Sequence, residues 1–434
     1  MDTPILDFLQ AYARKQPLRM HMPGHKGQEH PWDITEIKGA DSLYEADGII
    51  AQSEQNASRL FGCPTFYSTE GSSQCIRAML HLARLDALSH GKTPLILAGR
   101  NAHKTFLSGV AMLDLSVEWL YPEAGNYLSC ALSSATLETA LQTHRPTAVY
   151  LTCPDYLGNR IDLTAAAELC HRYGALLLVD NAHGAYLKFM GEHPMDLGAD
   201  LCCDSAHKTL PVLTGGAYLH TTPALAEGVK EALALFGSTS PSYLILGSLD
   251  KANAVLSENF GEKLTVFAAQ LTRLRATLTA AGFETVGDEA LKLTLCPKSY
   301  GYTGTQLADC LREAGMEAEF ADPDFLTLMF SPEMGAGELS CLGKTLLALP
   351  RRTPITTAPP RLQPGQRVLS PRQAMLSPAR RIAVEESVGQ VLAAPSVGCP
   401  PAVPIVVSGE RIDESALSAF AYYGITEISV VKNK

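Results

Sequence analysis

The stretch ALLLVDNAHGAYLKFMGEHPMDLGADLCCDSAHKTLPVLTGGAYLH (175–220) holds three apolar runs, ALLLVD (175–180), ADLCC (199–203) and GAYLH (216–220), the first two leading straight into polar residues. Runs this apolar, with no polar alternation, read as strands buried on both faces, the situation of a mostly parallel sheet covered by helices. Outward from them, PLILAG (94–99), VEWLY (117–121) and AVYLTC (148–153) repeat the pattern, with helical spacing in most gaps, as over 163–173. An α/β core with a mostly parallel sheet is therefore expected over about 94–219.

Beyond this core, apolar residues at helical spacing over 241–281 (Leu244, Leu249, Val255, Leu264, Leu271, Leu274) predict two helices broken near Gly261. From about 283 the pattern turns to strand (LKLTL, 291–295), helix (304–314), strands EAEF (317–320) and FLTLMF (325–330), then helix (335–349), a small α/β unit. The Pro- and Thr-rich run RRTPITTAPPRLQPGQR (351–367) reads as a connector. After it a helix around 383–392, Pro400-Pro401, a strand AVPIVV (402–407), a helix over 413–422 and a strand EISVV (427–431) are expected. The domain reading is an N-terminal segment 1–60 packed on the core and a partner subunit, a large domain 61–281, a small domain 282–350, a linker 351–368 and a C-terminal subdomain 369–434.

At 434 residues the chain can form two domains, or one large domain with an appendage. Its 35 Lys and Arg against 45 Asp and Glu give a net charge of −10, so it lacks the broad positive field that holds a phosphodiester backbone or an anionic membrane. Neither nucleic acid nor membrane is expected as a partner. No run approaches the roughly 20 apolar residues of a membrane helix. The opening MDTPILDFLQAYARK carries no basic-then-apolar export pattern, and a cytoplasmic location is the expectation. The 11 cysteines, Cys399 the last, include no CxxC pair and read as free core thiols. His21, His25 and His30 cluster, but Pro23-Gly24 breaks the helix that would align the first two, and no metal is expected.

Four local patterns stand at or near strand ends, where open α/β sheets bind ligands. Thr69-Glu70-Gly71-Ser72-Ser73 precedes a helical pattern over 74–85, and suits a phosphate through N–H groups and hydroxyls at a helix start, although Ser and Thr also cap helices without any ligand. Asp180 ends an apolar strand and needs a cationic or hydrogen-bonding partner, or serves as a helix cap. Lys208, between an apolar strand and Leu210-Pro211, is poorly placed as a surface charge and suits imine formation. His103, in Asn101-Ala102-His103-Lys104, could lie against a flat ring or simply cap a helix. Together these make a phosphate cradle, a ring-stacking group, an anion and a lysine, the set that pyridoxal 5'-phosphate (PLP) requires.

The sequence resembles the Orn/Lys/Arg decarboxylase family, in the shorter form without an N-terminal wing domain. The motifs that carry the resemblance are HMPGHKG (21–27), TEIKGADSL (35–43), NAHK (101–104), VDNAHGA (179–185), SAHKTLPVLTGGA (205–217), STSPSY (238–243) and PRQAMLSP (371–378). The resemblance implies a fold type I, aminotransferase-like PLP domain with a mostly parallel sheet, followed by small α/β C-terminal parts. It implies decarboxylation of arginine, lysine or ornithine to the amine and CO2. Lys208 would join the cofactor, Asp180 would face its ring nitrogen, Ala182 would lie beneath the ring, His183 near the phenolic oxygen and His103 on the exposed face. Ser72, Ser73, Ser205 and His207 would contact the phosphate, with Ser238 or Ser240 reaching it from a neighbouring subunit, which implies at least a homodimer. Lys208 or His103 would protonate the substrate carbon.

The sequence departs from the family where Asn181 replaces a usual Glu or Ser, Tyr186 a frequent His, Asp204 a Gln and Ala206 a Thr. Asp204 is expected to add a negative charge close to the lysine. For the far end of a basic substrate, Glu36, Asp41, Asp47 and Glu54 are the candidate carboxylates. The rivals are an aminotransferase or carbon–carbon lyase, with Arg312 or Arg372 holding the α-carboxylate, and a PLP-binding homologue weak in catalysis.

Overall fold

The computed structural model describes residues 1–122, 128–361, 363–394 and 403–432. Cys399, Pro400-Pro401 and Ala402, which heads the expected strand 402–407, lie outside the described residues. The chain divides into two compact units, Met1–Thr93 with Leu163–Leu264, and Pro94–Asp162 with Thr265–Lys434.

In the first unit, strands Leu176–Asp180 and Leu201–Asp204 run parallel, with Asp180 opposite Cys203. Leu201–Asp204 pairs antiparallel with Ala217–Thr221, which pairs antiparallel with Thr65–Ser68. Leu177, Leu178, Val179, Leu201, Cys202 and Cys203 are fully buried, as their unbroken apolar runs require. Helices Ile49–Phe61, Gly71–Ser89 and Leu163–Arg172 pack on these strands. The GAYLH run forms a strand as expected, but an antiparallel one. Thr65–Ser68 was not anticipated, because TFYS carries too little apolar signal.

In the second unit, Leu95–Gly99 lies parallel between Ser116–Leu120 and Ala148–Thr152. The strands Phe320–Ala321, Leu326–Met329, Lys292–Cys296 and Glu284–Val286 form an antiparallel sheet in that order, with helices Gly304–Glu313 and Ala336–Ala348. The C-terminal part pairs Gln366–Arg367 with Glu410–Arg411 and Ala379–Ala383 with Glu427–Val431, around a core that includes Leu392, Ile412, Phe420 and Val430.

Four expectations change. Of EAEF (317–320) only Phe320 lies in a strand, the short Phe320–Ala321. The helices of 241–281 are Tyr243–Ser257 and Phe260–Ala280, so the break falls at Glu258-Asn259 and Gly261 lies inside the second helix. Residues 383–392 form no helix: a strand ends at Ala383, a short 3-10 turn covers Val384–Glu386, and Gly389 takes a left-handed φ of 83° that stops helical continuation. The described residues 403–407 form no strand. No helix among the described residues is long and apolar enough to cross a membrane.

Candidate active site

Strand Leu176–Asp180 delivers a carboxylate to its end, where Asp180 is only 3% exposed. Its Oδ1 accepts from Ala182 N (3.2 Å) and from the Cys203 thiol (3.6 Å) on the neighbouring strand. The chain then turns, Gly184 N donating to Asn181 O at 2.8 Å, and this turn carries buried His183. One strand over, Leu201–Asp204 runs into the single helical turn Ala206–Thr209, which holds half-buried Lys208. Lys208 Nζ lies 2.9 Å from His183 Nε2. Two parallel strands thus set a carboxylate, an imidazole and an amine at their carboxyl ends, the position where open sheets of this class bind ligands.

The anion cradle is built around helix Gly71–Ser89. Ser72 and Ser73 lie in its first turn, not ahead of it as the sequence suggested. Ser205 Oγ donates to Ser72 Oγ at 2.9 Å. His207 Nδ1 lies 3.0 Å from Gly216 O, so that nitrogen carries the ring proton. Gly71 N donates to Gly215 O at 2.8 Å, fixing the helix start against the loop after Lys208. Gly215 has φ +99°, and a Cβ there would meet Thr69 O at 3.0 Å, so the close approach needs glycine. First-turn N–H groups, two hydroxyls and the positive end of a long helix together suit a phosphate. The hydroxyls stand out in the sequence; the contact of Gly71 with Gly215, although both lie in the quoted motifs, does not.

The other named residues take these positions. Ser238 and Ser240 are exposed; Ser238 N donates to the Glu70 carboxylate of the same chain, and Ser240 N to Ser238 Oγ at 3.1 Å. Ala182 is half-buried in the turn after Asp180. His103 belongs to the second unit, where it caps helix Lys104–Leu113: its Nδ1 accepts from Thr105 N at 3.2 Å, leaving the proton on Nε2.

Asp204 corrects an expectation. Side chains alternate along a strand, so Cys203 shares a face with Asp180, while Cys202 and Asp204 share the opposite one, their side chains 3.7 Å apart. The Asp204 carboxylate accepts from His193 Nε2 and His220 Nε2 (both 3.1 Å) and from Asn181 Nδ2 (2.7 Å), and is fully buried. Burial alone would raise its pKa, but the two imidazoles and their hydrogen bonds outweigh it and hold the carboxyl below its usual range. Burial lowers the pKa of His220, against the pull of Asp204. His193, Asp204 and His220 are close enough together to hold a metal ion. However, His193 Nδ1 accepts from Met195 N at 3.3 Å, which puts its proton on Nε2, aimed at Asp204, and the cluster reads as a hydrogen-bonded core.

Of the acids considered for a basic substrate, Asp41 is occupied by backbone N–H groups of Ser42, Asp47, Gly48, Ile50 and Ala51, and Glu54 by Lys230 at 2.5 Å and Tyr67 N at 2.9 Å. Glu36 and Asp47 are exposed. Arg312 pairs with Asp309 and Glu317, and Arg372 donates to Ala111 O and Met112 O. His25 bonds Asp33 at 3.0 Å and His21 bonds Tyr12 at 2.6 Å. The donor set of the first unit, a buried acid, an amine and a hydroxyl-lined helix start, fits PLP.

Comparison with known proteins agrees. The model of the Orn/Lys/Arg decarboxylase major domain matches residues 3–296. The chain is 30% identical to an arginine decarboxylase of Halalkalibacterium halodurans, over 96% of this chain and 92% of that one. It is 29% identical to an arginine decarboxylase of Bacillus subtilis over the same shares. Among solved structures it is similar to lysine decarboxylase A from Pseudomonas aeruginosa, with a TM-score of 0.79 at 18% identity, covering 99% of this chain and 80% of that one. At that identity the likeness speaks for the fold, which is the fold type I architecture of PLP enzymes.

Proposed function

The chain belongs to the Orn/Lys/Arg decarboxylase family and is a PLP-dependent decarboxylase of basic amino acids, and within that activity we propose L-arginine as its preferred substrate. The observation that carries this choice is the match, over nearly the whole chain, to relatives named arginine decarboxylases.

In this reading Lys208 would hold the cofactor's aldehyde, Asp180 its protonated ring nitrogen, and Ser72, Ser73, Ser205 and His207 its phosphate. Ala182 and His103 would serve the ring and His183 the phenolic oxygen. When bound, the cofactor supplies an electron-accepting ring to the carbon that loses CO2. The chain does the rest. Asp180, buried at its strand end, would accept a hydrogen bond from the ring nitrogen's N–H and so keep that proton in place. CO2 departs without its bonding electrons, and the carbon then takes one proton, from Lys208 or His103, to give the amine. Lys208, 2.9 Å from His183 Nε2, can exchange protons with that imidazole and recover its acid form.

Ser238 or Ser240 reaches the phosphate of a neighbouring subunit, so the working unit is at least a homodimer with shared sites. The segmentation at 1–60, 61–281, 282–350, 351–368 and 369–434 and a cytoplasmic role in polyamine formation belong to the same reading. An aminotransferase would need a cation for the α-carboxylate, and Arg312 and Arg372 are engaged elsewhere.

Mass-spectrometric screening of the cofactor-loaded protein against arginine, lysine, ornithine and diaminopimelate tests the proposal. Amine and CO2 should form fastest from arginine. Faster turnover of lysine or ornithine would refute the substrate, and a keto acid with pyridoxamine phosphate would refute the reaction.

A further inference from the structure

A cavity of about 180 Å³ lies within the second unit, between strand Ser116–Leu120 and the paired strands Gln366–Arg367 and Glu410–Arg411. Trp119 and Tyr121 form aromatic walls, Glu118 and Arg367 line it as an ion pair of 2.8 Å, and Ser408 and Glu410 supply buried polar groups. It is too small for a nucleotide and suits a compact metabolite.

One buried hydroxyl there has no hydrogen-bond partner among the described residues, and a buried carboxylate beside it has no ion-pair partner among them. Ser408 is 2% exposed, and its Oγ has no hydrogen-bond partner among the described residues. Leaving a buried hydroxyl unpaired forfeits its bonds to water, so such groups ordinarily find a partner. Glu410 is 5% exposed; one carboxylate oxygen accepts from Val407 N at 2.8 Å, and it forms no ion pair among the described residues. The backbone makes room for it, since a Cβ at Gly365 would stand 2.5 Å from the Glu410 carboxyl carbon. The nearby cations are Arg367 and Arg100, whose Nε has no hydrogen-bond partner among the described residues. Arg367 serves Glu118 and Val117 O, while Arg100, its guanidinium 5.6 Å from the Trp119 ring centre, donates to Pro404 O and Ile405 O at 2.8 Å each.

We propose that this cavity binds a small organic cation, an aliphatic amine or guanidine. Its charged end pairs with Glu410 and bonds Ser408 Oγ, and its methylenes lie along Trp119 and Tyr121, whose ring faces attract cations. The ligand class follows from the cavity's own groups and uses none of the residues assigned to PLP.

The test uses tryptophan emission of the cofactor-loaded protein, with Trp32→Phe leaving Trp119 as the single reporter of the two tryptophans. Agmatine and cadaverine serve as cationic probes and inorganic phosphate as the anionic one. Either amine should change the emission saturably and phosphate should not. Glu410→Gln retains an oxygen for Val407 N and should weaken amine binding about tenfold or more, as loss of a buried charge partner does. Ser408→Ala should weaken it by less, and both variants should keep the cofactor's visible absorbance and the substrate KM. Emission that no amine alters, a response to phosphate instead, or unchanged amine affinity in both variants would overturn the proposal.

Discussion

Lys208 and His183 meet although the sequence separates them, because two parallel strands end side by side; Asp204 avoids them although it is four residues away, because a strand alternates its faces. That contrast marks what a single sequence yields at the scale of the residue. Lys208 and Asp180 stood out from their place at the ends of apolar runs, whereas His183 entered only through the resemblance to the family. The fate of Asp204 could have been read by counting alternation from Cys203, but its partners could not, since His193 and His220 carry no motif. Asp204 should therefore matter for stability more than for cofactor capture. Its native pKa lies below the ordinary aspartate value of 3.8, so its contribution is present above about pH 4 and is lost as the pH falls through the native value. Asp204→Asn should lower the unfolding free energy by roughly 3–5 kcal/mol at pH 7, the range for breaking a buried charged network. The gap to wild type, read from urea unfolding, should narrow below pH 4, with cofactor binding retained. A gap that does not change with pH would contradict this reading.

Among the elements, the fully apolar strands of 94–219 were the most legible, because burial on both faces leaves no other composition. Thr65–Ser68 escaped because half its residues are polar, and 383–392 deceived because Val384, Val388 and Val391 fall at near-helical spacing while Gly389 turns the chain with a positive φ. The phosphate cradle was half legible: the hydroxyls showed, but the contact of Gly71 with Gly215 depends on tertiary approach. Gly215→Ala tests that contact. A side chain at φ +99° against Thr69 O is strained by about 1–3 kcal/mol, and the helix start must shift to relieve it. PLP affinity, titrated by visible absorbance, should fall roughly tenfold or more, a loss of about 1.4 kcal/mol or above. Affinity equal to wild type would remove the cradle from this account.

For the whole molecule, the net charge of −10 and the matches to decarboxylases agree on a small-molecule enzyme, and the proposal of a site shared between copies is tested at this scale. If Ser238 and Ser240 serve the partner's phosphate, a Lys208→Ala chain mixed with a Ser238→Ala/Ser240→Ala chain should recover activity that neither has alone, since one site per mixed dimer is then complete. No recovery on mixing would place these serines with their own chain. The central claim, that Lys208 carries PLP at this site, is tested most directly by reducing the cofactor-loaded protein with borohydride and mapping the peptides by mass spectrometry. The account predicts a single phosphopyridoxyl label on Lys208, and a label on another lysine, or none at full cofactor occupancy, would contradict it.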